Sequence, residues 1–275
     1  MPPIRTAKQN STATKGVDAY FKKVSKAEAQ AEAVAYNAPQ PAPAIPIPAP
    51  KPKVAKVMRL LPPAGRGVKD ASFRDSRYDW DGKFNKLVGI ATKKLEFRSS
   101  FKLTDQHIED ILAMRPKICR DLTEFKFVYG DVSYDANNGA KGLTDTAVIN
   151  LAKHCPKLRK IYLPDTTSLS GEALLRLLAS CPALTYVEMT GSRMTATLFE
   201  IFQQHPEWVP KLKTLRLTDP HQDTKFMKAM RELGRDRPNL KVELVSTSQE
   251  KNWGDWDLKV YHTTYMNGRK VGTSY

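Results

Sequence analysis

No stretch of this 275-residue chain approaches the ~18 apolar residues that a membrane-spanning helix needs. The opening MPPIRTAKQNSTATK lacks the apolar core of a secretory leader, so a soluble intracellular protein is expected. Cysteine is scarce. Its three residues, an odd number in a chain this long, form no disulfide framework and predict reduced thiols. Acidic residues are outnumbered, 29 against 44 Lys and Arg, which leaves a formal charge of +15. That balance suits acidic partners or a nuclear or nucleo-cytoplasmic address. A Gly-rich phosphate loop, a nucleophile elbow and any metal-ligand spacing are also missing. The histidines (His107, His154, His205, His221 and His262) are scattered and read as structural, so neither metal nor cofactor is expected.

What is present divides the chain. Ala38 to Lys53 reads APQPAPAIPIPAPKPK, which cannot hold a helix and favours extended polyproline geometry. Residues 1–80 carry 14 Lys and Arg against 6 Asp and Glu, so +8 of the charge lies there. Few large apolar side chains are available to offset the entropy of ordering it. The composition predicts a disordered, basic Pro/Ala-rich tail over residues 1–70.

Beyond the tail the chain repeats itself. LAKHCPKLRKIYL (Leu151 to Leu163) and LLASCPALTYVEM (Leu177 to Met189) align 26 residues apart, pairing Cys155 with Cys181, Leu158 with Leu184, Ile161 with Val187 and Leu163 with Met189. Upstream, Cys119, Leu122, Phe125 and Phe127 take the same four slots; downstream, Val209, Leu212, Leu215 and Leu217 do. Degenerate copies lie at Leu95 and Phe97 and at Leu240 to Leu244. His154 beside Cys155 raises the alternative of a thiolate with its base. A cysteine recurring at a fixed offset, and replaced by Val209 in the next copy, instead fills a small apolar space in each unit.

Each unit has one internal grammar. The alternating stretch predicts a strand with one buried face. After a turn, LTDQHIEDIL, LTDTAVINLA, LSGEALLRLL and MTATLFEIF predict amphipathic helices, with Thr104, Thr144, Ser170 and Thr195 placed to cap their first amides. A unit of ~26 residues cannot bury both of its faces alone, so copies must stack. The expected fold class is α/β: a right-handed solenoid over 95–245, with parallel strands on the concave face and helices outside. Trp80, Phe84, Leu87 and Val88 predict a helical cap over 71–94. Trp256, Leu258 and Val260, with the turn pair Asn267-Gly268, predict a C-terminal cap over 246–275 containing a hairpin at 256–274.

The C-P-x-L-x-x-h-x-h pattern at Cys155 and Cys181, with L-[ST]-[DG]-x-[AG]-h at Leu143 and Leu169, resembles the cysteine-containing leucine-rich repeats of F-box/LRR proteins and their F-box-less, antagonist-of-mitotic-exit-like relatives. The resemblance covers about 150 residues. It implies a non-enzymatic protein whose repeats choose a protein partner, often for ubiquitylation. A substrate receptor or adaptor of an SCF-type ubiquitin ligase is therefore an alternative reading, although MRLLPPAGRGVKD before the repeats supplies no F-box. The departures are a ten-residue insertion in the second unit and a degenerate last repeat.

Residues between the buried strand positions face the concave surface. Across the units this row offers Lys126, Lys160, Tyr162, Tyr186, Glu188 and Arg216, with the aromatic residues and Arg216 as preferred anchors for a protein partner. The inserted loop adds Tyr129 and Tyr134 at the rim. Mixed signs on this row do not make the one-sign stripe that phosphates need, which leaves only weak nucleic-acid contact by the basic tail. A further reading concerns TKGVDAYFKK, where Val17, Tyr20 and Phe21 have the spacing of peptides that dock on the sliding clamp PCNA. That resemblance spans eight residues, and Thr14 stands where the motif has Gln; it implies a clamp-associated replication or repair factor.

Overall fold

The computed structural model describes residues 65–274 apart from Tyr134, Asp135, Asn137, Arg193 and Gln222. Most of the predicted tail therefore lies outside the described residues. The described chain is a mixed α/β structure built on one open sheet of nine strands in the order β1-β2-β4-β6-β7-β8-β9-β10-β11. The strands are β1 (Asp70–Asp75), β2 (Lys94–Ser100), β4 (Glu124–Phe127), β6 (Lys160–Leu163), β7 (Tyr186–Met189), β8 (Thr214–Thr218), β9 (Lys241–Asn252), β10 (Asp255–Met266) and β11 (Arg269–Ser274). Pairing is parallel from β1 to β9 and antiparallel from β9 to β11. Two short strands, β3 (Lys102–Thr104) and β5 (Gly139–Gly142), pair separately and tie the inserted loop to the first unit. Among the described residues no helix is long and apolar enough to cross a membrane.

The register explains why the apolar slots recur. Leu95, Phe125, Ile161, Val187, Leu215 and Val242 lie side by side across six strands, all buried. Removing each such side chain from water contributes about 1.5–3 kcal/mol. One turn introduces five of these six strands: the amides of Leu122, Leu158, Leu184, Leu212 and Leu240 donate to the carbonyls of Cys119, Cys155, Cys181, Val209 and Arg237, at 3.2, 3.1, 3.1, 3.0 and 2.9 Å. The slot that holds cysteine in three units is thus a backbone corner.

The three thiols are free and buried, with at most 2 % of their surface exposed. Cys119 Sγ donates to Ile111 O at 3.5 Å, and Cys181 Sγ to Cys155 O at 3.5 Å and Ala152 O at 3.6 Å. A helix leaves its last carbonyls without intrahelical donors, and the corner residue of the following unit supplies one. Arg237 does the same in the final unit, donating to His205 O, Trp208 O and Pro206 O at 3.0, 3.0 and 3.2 Å while its guanidinium lies 4.0 Å over the Phe202 ring.

Helices pack next to one another against the apolar face of the sheet. They are α1 (Phe84–Leu87), α2 (Asp105–Leu112), α3 (Pro116–Asp121), α4 (Asp145–His154), α5 (Gly171–Ser180), α6 (Ala196–Gln204) and α7 (Thr224–Asp236). Val148, Leu151 and Ala152 on α4, and Leu174, Leu177 and Leu178 on α5, are all buried. Neither α3, which begins on Pro116 and carries Cys119, nor α7 was expected from the repeat grammar.

The hydroxyl residues before the helices cap in two units of four, Thr104 through a capping box with His107, and in two units they also serve a second purpose. Ser170 Oγ caps Glu172 N at 3.1 Å, but Thr144 and Thr195 make no side-chain cap. Thr144 instead donates its amide and hydroxyl to the two carboxylate oxygens of Asp105, at 2.7 and 2.8 Å. Ser170 does the same to Asp145, at 2.7 and 2.6 Å. The Leu-Thr-Asp triplet is a staple between units: its aspartate holds the hydroxyl residue of the next. Gly171 replaces the aspartate in the third unit, and there the ladder stops.

Both ends depart from expectation. Residues 71–94 are not helical throughout. Ala71 and Phe73 lie on strand β1, a π-helical turn over Ser76–Trp80 follows, and α1 has only four residues, with Leu87 exposed. The reason is Trp80. It stacks on Phe84 (4.5 Å), meets Phe73 edge-on (4.8 Å) and donates to Asp110 Oδ2 at 2.9 Å, so it fills the end of the core as a single plug. At the other end the strand opened by Leu240 does not stop near Val245. It continues as β9 to Asn252 and returns as β10, so the 245/246 boundary falls inside a strand. The turn between β10 and β11 does sit at Asn267-Gly268, with φ of 49° and 70°, the left-handed pair that such a two-residue turn requires.

Candidate functional site

Strand alternation that buries one row leaves another on the uncovered face of the sheet. In register across that face run Ser72, Glu96, Lys126, Tyr162, Glu188, Arg216 and Glu243. Opposite charges alternate along much of the row. Lys126 Nζ meets Glu96 Oε1 at 2.8 Å; this bond, with help from Arg98, holds the Glu96 carboxyl below its ordinary range. Arg216 lies between Glu188 (3.3 Å) and Glu243 (3.9 Å), and Lys241 Nζ meets the other oxygen of Glu243 at 2.7 Å. Tyr162 and Tyr186 bridge adjacent strands with ring centroids 4.5 Å apart, and Tyr186 donates to Glu188 Oε2 at 3.2 Å.

Burial dominates the electrostatics here. It raises the Glu188 carboxyl above its usual value against the opposing pull of Arg216. It raises the Tyr162 and Tyr186 phenols too, with nearby glutamates adding to the shift.

One end of this face closes into a cavity of about 420 Å³. Its floor is formed by Lys126, Tyr162, Glu188 and Arg216. The carboxyl ends of the parallel strands and the loops that follow them supply Tyr129, Asp165, Thr190, Gly191, Thr218 and His221, the position at which open α/β sheets ordinarily hold ligands. The far wall is the β9–β10 ribbon, through Val245, Leu258 and Val260. Gln249 on that ribbon donates to the Tyr129 hydroxyl at 3.3 Å, joining the last strand to the inserted loop of the second unit.

Asp165 stands out within it. Its backbone is left-handed, at φ 53°. Gly191 packs so closely that a Cβ there would lie 2.8 Å from Asp165 Cα, and Gly191 itself sits at φ 91°. Burial raises the Asp165 carboxyl, while Lys141 and the Tyr129 phenol act in the opposite direction. Among the described residues four buried side-chain atoms lack a hydrogen-bond partner, and three belong to residues that line this cavity: Asp165 Oδ2, Arg216 Nε and Thr218 Oγ1. The Arg216 nitrogen is near Glu188 but is not aimed at it.

The structure thus gathers Lys126, Tyr129, Tyr162, Glu188 and Arg216 around one cavity. Tyr186 stacks behind Tyr162 rather than lining it, and Lys160 is exposed on the outer row beside Glu124 and Tyr186. Tyr134, Val17, Tyr20 and Phe21 lie outside the described residues. Sequence reasoning missed Asp165. Its signal was positional: two residues beyond the last buried strand position stand Asp165, Gly191 and Asp219, types that tolerate tight backbone turns.

Cys155 and His154 do not form a site. Cys155 is fully buried, and the neighbouring Cys119 thiol, together with burial, pushes its own thiol up. Burial pushes Cys181 up to about 12. His154 is exposed, with Nδ1 2.8 Å from Asn150 O on its own helix. Among the described residues no group of three His, Cys, Asp or Glu side chains could hold a metal ion. No protein-family model matches the chain, and no curated protein matches it.

Proposed function

We propose that this is a non-enzymatic recognition protein, a leucine-rich-repeat solenoid that binds an extended segment of a protein partner along the concave face of its sheet. Tyr162, Tyr186, Glu188 and Arg216 form the centre of that contact, and Tyr129 and the β9–β10 ribbon its rim. The observation that carries this reading is the pair of buried polar atoms without any partner, Asp165 Oδ2 and Thr218 Oγ1, on residues that line one cavity of the uncovered face. Each such atom costs about 1–3 kcal/mol, a penalty that a partner's donors and acceptors would relieve. The stacked tyrosines and the arginine are the residue types that dominate binding energy at interfaces. The excess of basic residues supports a nuclear or nucleo-cytoplasmic setting in the same reading.

Panning a random peptide library against the full chain tests it. The wild-type protein should enrich a convergent set of sequences, and Tyr162→Ala combined with Tyr186→Ala should weaken their binding at least ~30-fold, as expected for two hot-spot aromatics. Failure to enrich a convergent set, or a set bound equally by the double variant, would count against recognition at this face.

A further inference from the structure

The cavity has a chemistry that narrows its occupant. We infer that it receives the cationic side chain of a lysine or arginine carried by the partner segment, its ammonium or guanidinium donating to Asp165 Oδ2, an inference that rests on the face being a recognition surface. Two carboxylates line the cavity, and they differ. Glu188 is already served by Arg216 at 3.3 Å and by the Tyr186 hydroxyl at 3.2 Å. Asp165 has no ion-pair partner within 4 Å among the described residues; the Tyr129 phenol acts on its carboxyl, but Oδ2 is buried with no hydrogen-bond partner. The lining cations cannot fill that place: Lys126 is committed to Glu96, and Arg216 lies between Glu188 and Glu243. His221 lines the cavity from the loop after β8, and Lys141 acts on Asp165 only through the longer-range field.

Three further features fit a cation. Tyr129 and Tyr162 wall the same cavity, and aromatic faces attract ammonium and guanidinium groups, more strongly as water is excluded. Asp165 is fixed before binding, since its left-handed backbone is wedged under the Gly191 backbone, and a prepositioned carboxylate loses little freedom when it engages. Thr218 Oγ1, also without a hydrogen-bond partner, sits on β8 two residues from Arg216 and is able to donate. It can meet a main-chain carbonyl of the segment that carries the cation. An unpartnered acceptor at one wall and a donor on a nearby strand match a basic residue within an extended chain.

The test uses the full chain and a random twelve-residue peptide library, with Asp165→Asn as the comparison, a change that removes the charge and keeps the shape. Wild-type protein should select Lys or Arg at one fixed position, and Asp165→Asn should lose that preference and bind the selected peptide about 10- to 100-fold more weakly. Replacing the selected basic residue by Gln should cost the same factor on wild type and little on the variant. The variant's unfolding midpoint should equal or exceed that of wild type, because the carboxylate it removes is buried without a cation. Selection of peptides with no fixed basic residue, or an unchanged preference in Asp165→Asn, would overturn the inference and leave recognition at this face standing. Failure to select any peptide would overturn both.

Discussion

Replacing Asp145 by Ala asks whether the staple between units carries weight. Asp145 opens α4, and its two oxygens accept the amide of Ser170 at 2.7 Å and the hydroxyl of Ser170 at 2.6 Å. A hydrogen bond to a charged group contributes about 1.5–3 kcal/mol, and a carboxylate in the first turn of a helix adds about 0.3–1 kcal/mol through the macrodipole. Ser170 is only half-buried, so its donors recover water when the carboxylate is lost. The net loss should therefore be about 2–3 kcal/mol for Asp145→Ala and roughly half that for Asp145→Asn, which retains one acceptor. With a urea slope of about 2 kcal/mol/M, the Ala variant should unfold about 1–1.5 M earlier. A double-mutant cycle with Ser170→Ala should return a coupling of about 1 kcal/mol or more. Were Asp145→Ala to shift the midpoint by less than the equivalent of ~0.5 kcal/mol, as an ordinary surface change does, the staple would be decoration and the reasoning wrong.

Three more expectations follow from the same geometry. Gly191→Ala places a Cβ 2.8 Å from Asp165 Cα and forces a side chain onto φ 91°; it should destabilise by about 2–4 kcal/mol in chemical denaturation, and a variant as stable as wild type would refute the close packing. Asp165 has a raised folded-state pKa, so the folded chain holds its proton more tightly and the buried carboxylate costs stability at neutral pH; that cost fades as pH falls through the folded value towards the ordinary carboxylate range. Asp165→Asn should therefore gain most over wild type at pH 7–8 and lose its advantage near pH 4, and a gap that widens on acidification would contradict the assignment. The thiols of Cys119, Cys155 and Cys181 should react with an aromatic disulfide reagent only at the rate of unfolding, since all three are buried and burial raises Cys155 and Cys181; selectively fast labelling of Cys155 in native protein would revive a reactive role.

The sheet's buried rows were legible because alternation repeated at a fixed offset, so that Ile161 and Val187 each confirmed the slot of the other. Strand β1 was hidden. Ala71 and Phe73 alternate over too few residues, and no following helix marks a unit, because the chain turns at once to set Trp80 into the core. The Thr and Ser residues before the helices were recognised as caps, which Thr104 and Ser170 are, but local spacing does not show the bonds that Thr144 and Ser170 donate to Asp105 and Asp145, because these span units. The floor of the cavity was readable from strand phase. Its walls were not: the reach of the β9–β10 ribbon to Tyr129 joins residues 120 positions apart, and Asp165 owes its setting to the approach of a second backbone at Gly191.

Hydrogen–deuterium exchange of the full chain, with and without a library-selected peptide, tests the location of binding most directly. Slower exchange in the loops around 164–167, 189–191 and 218–221 and in the ribbon 245–260, with α4 to α7 unchanged, is the predicted result. Protection confined to the helices would place the partner on the opposite side of the sheet and contradict the account.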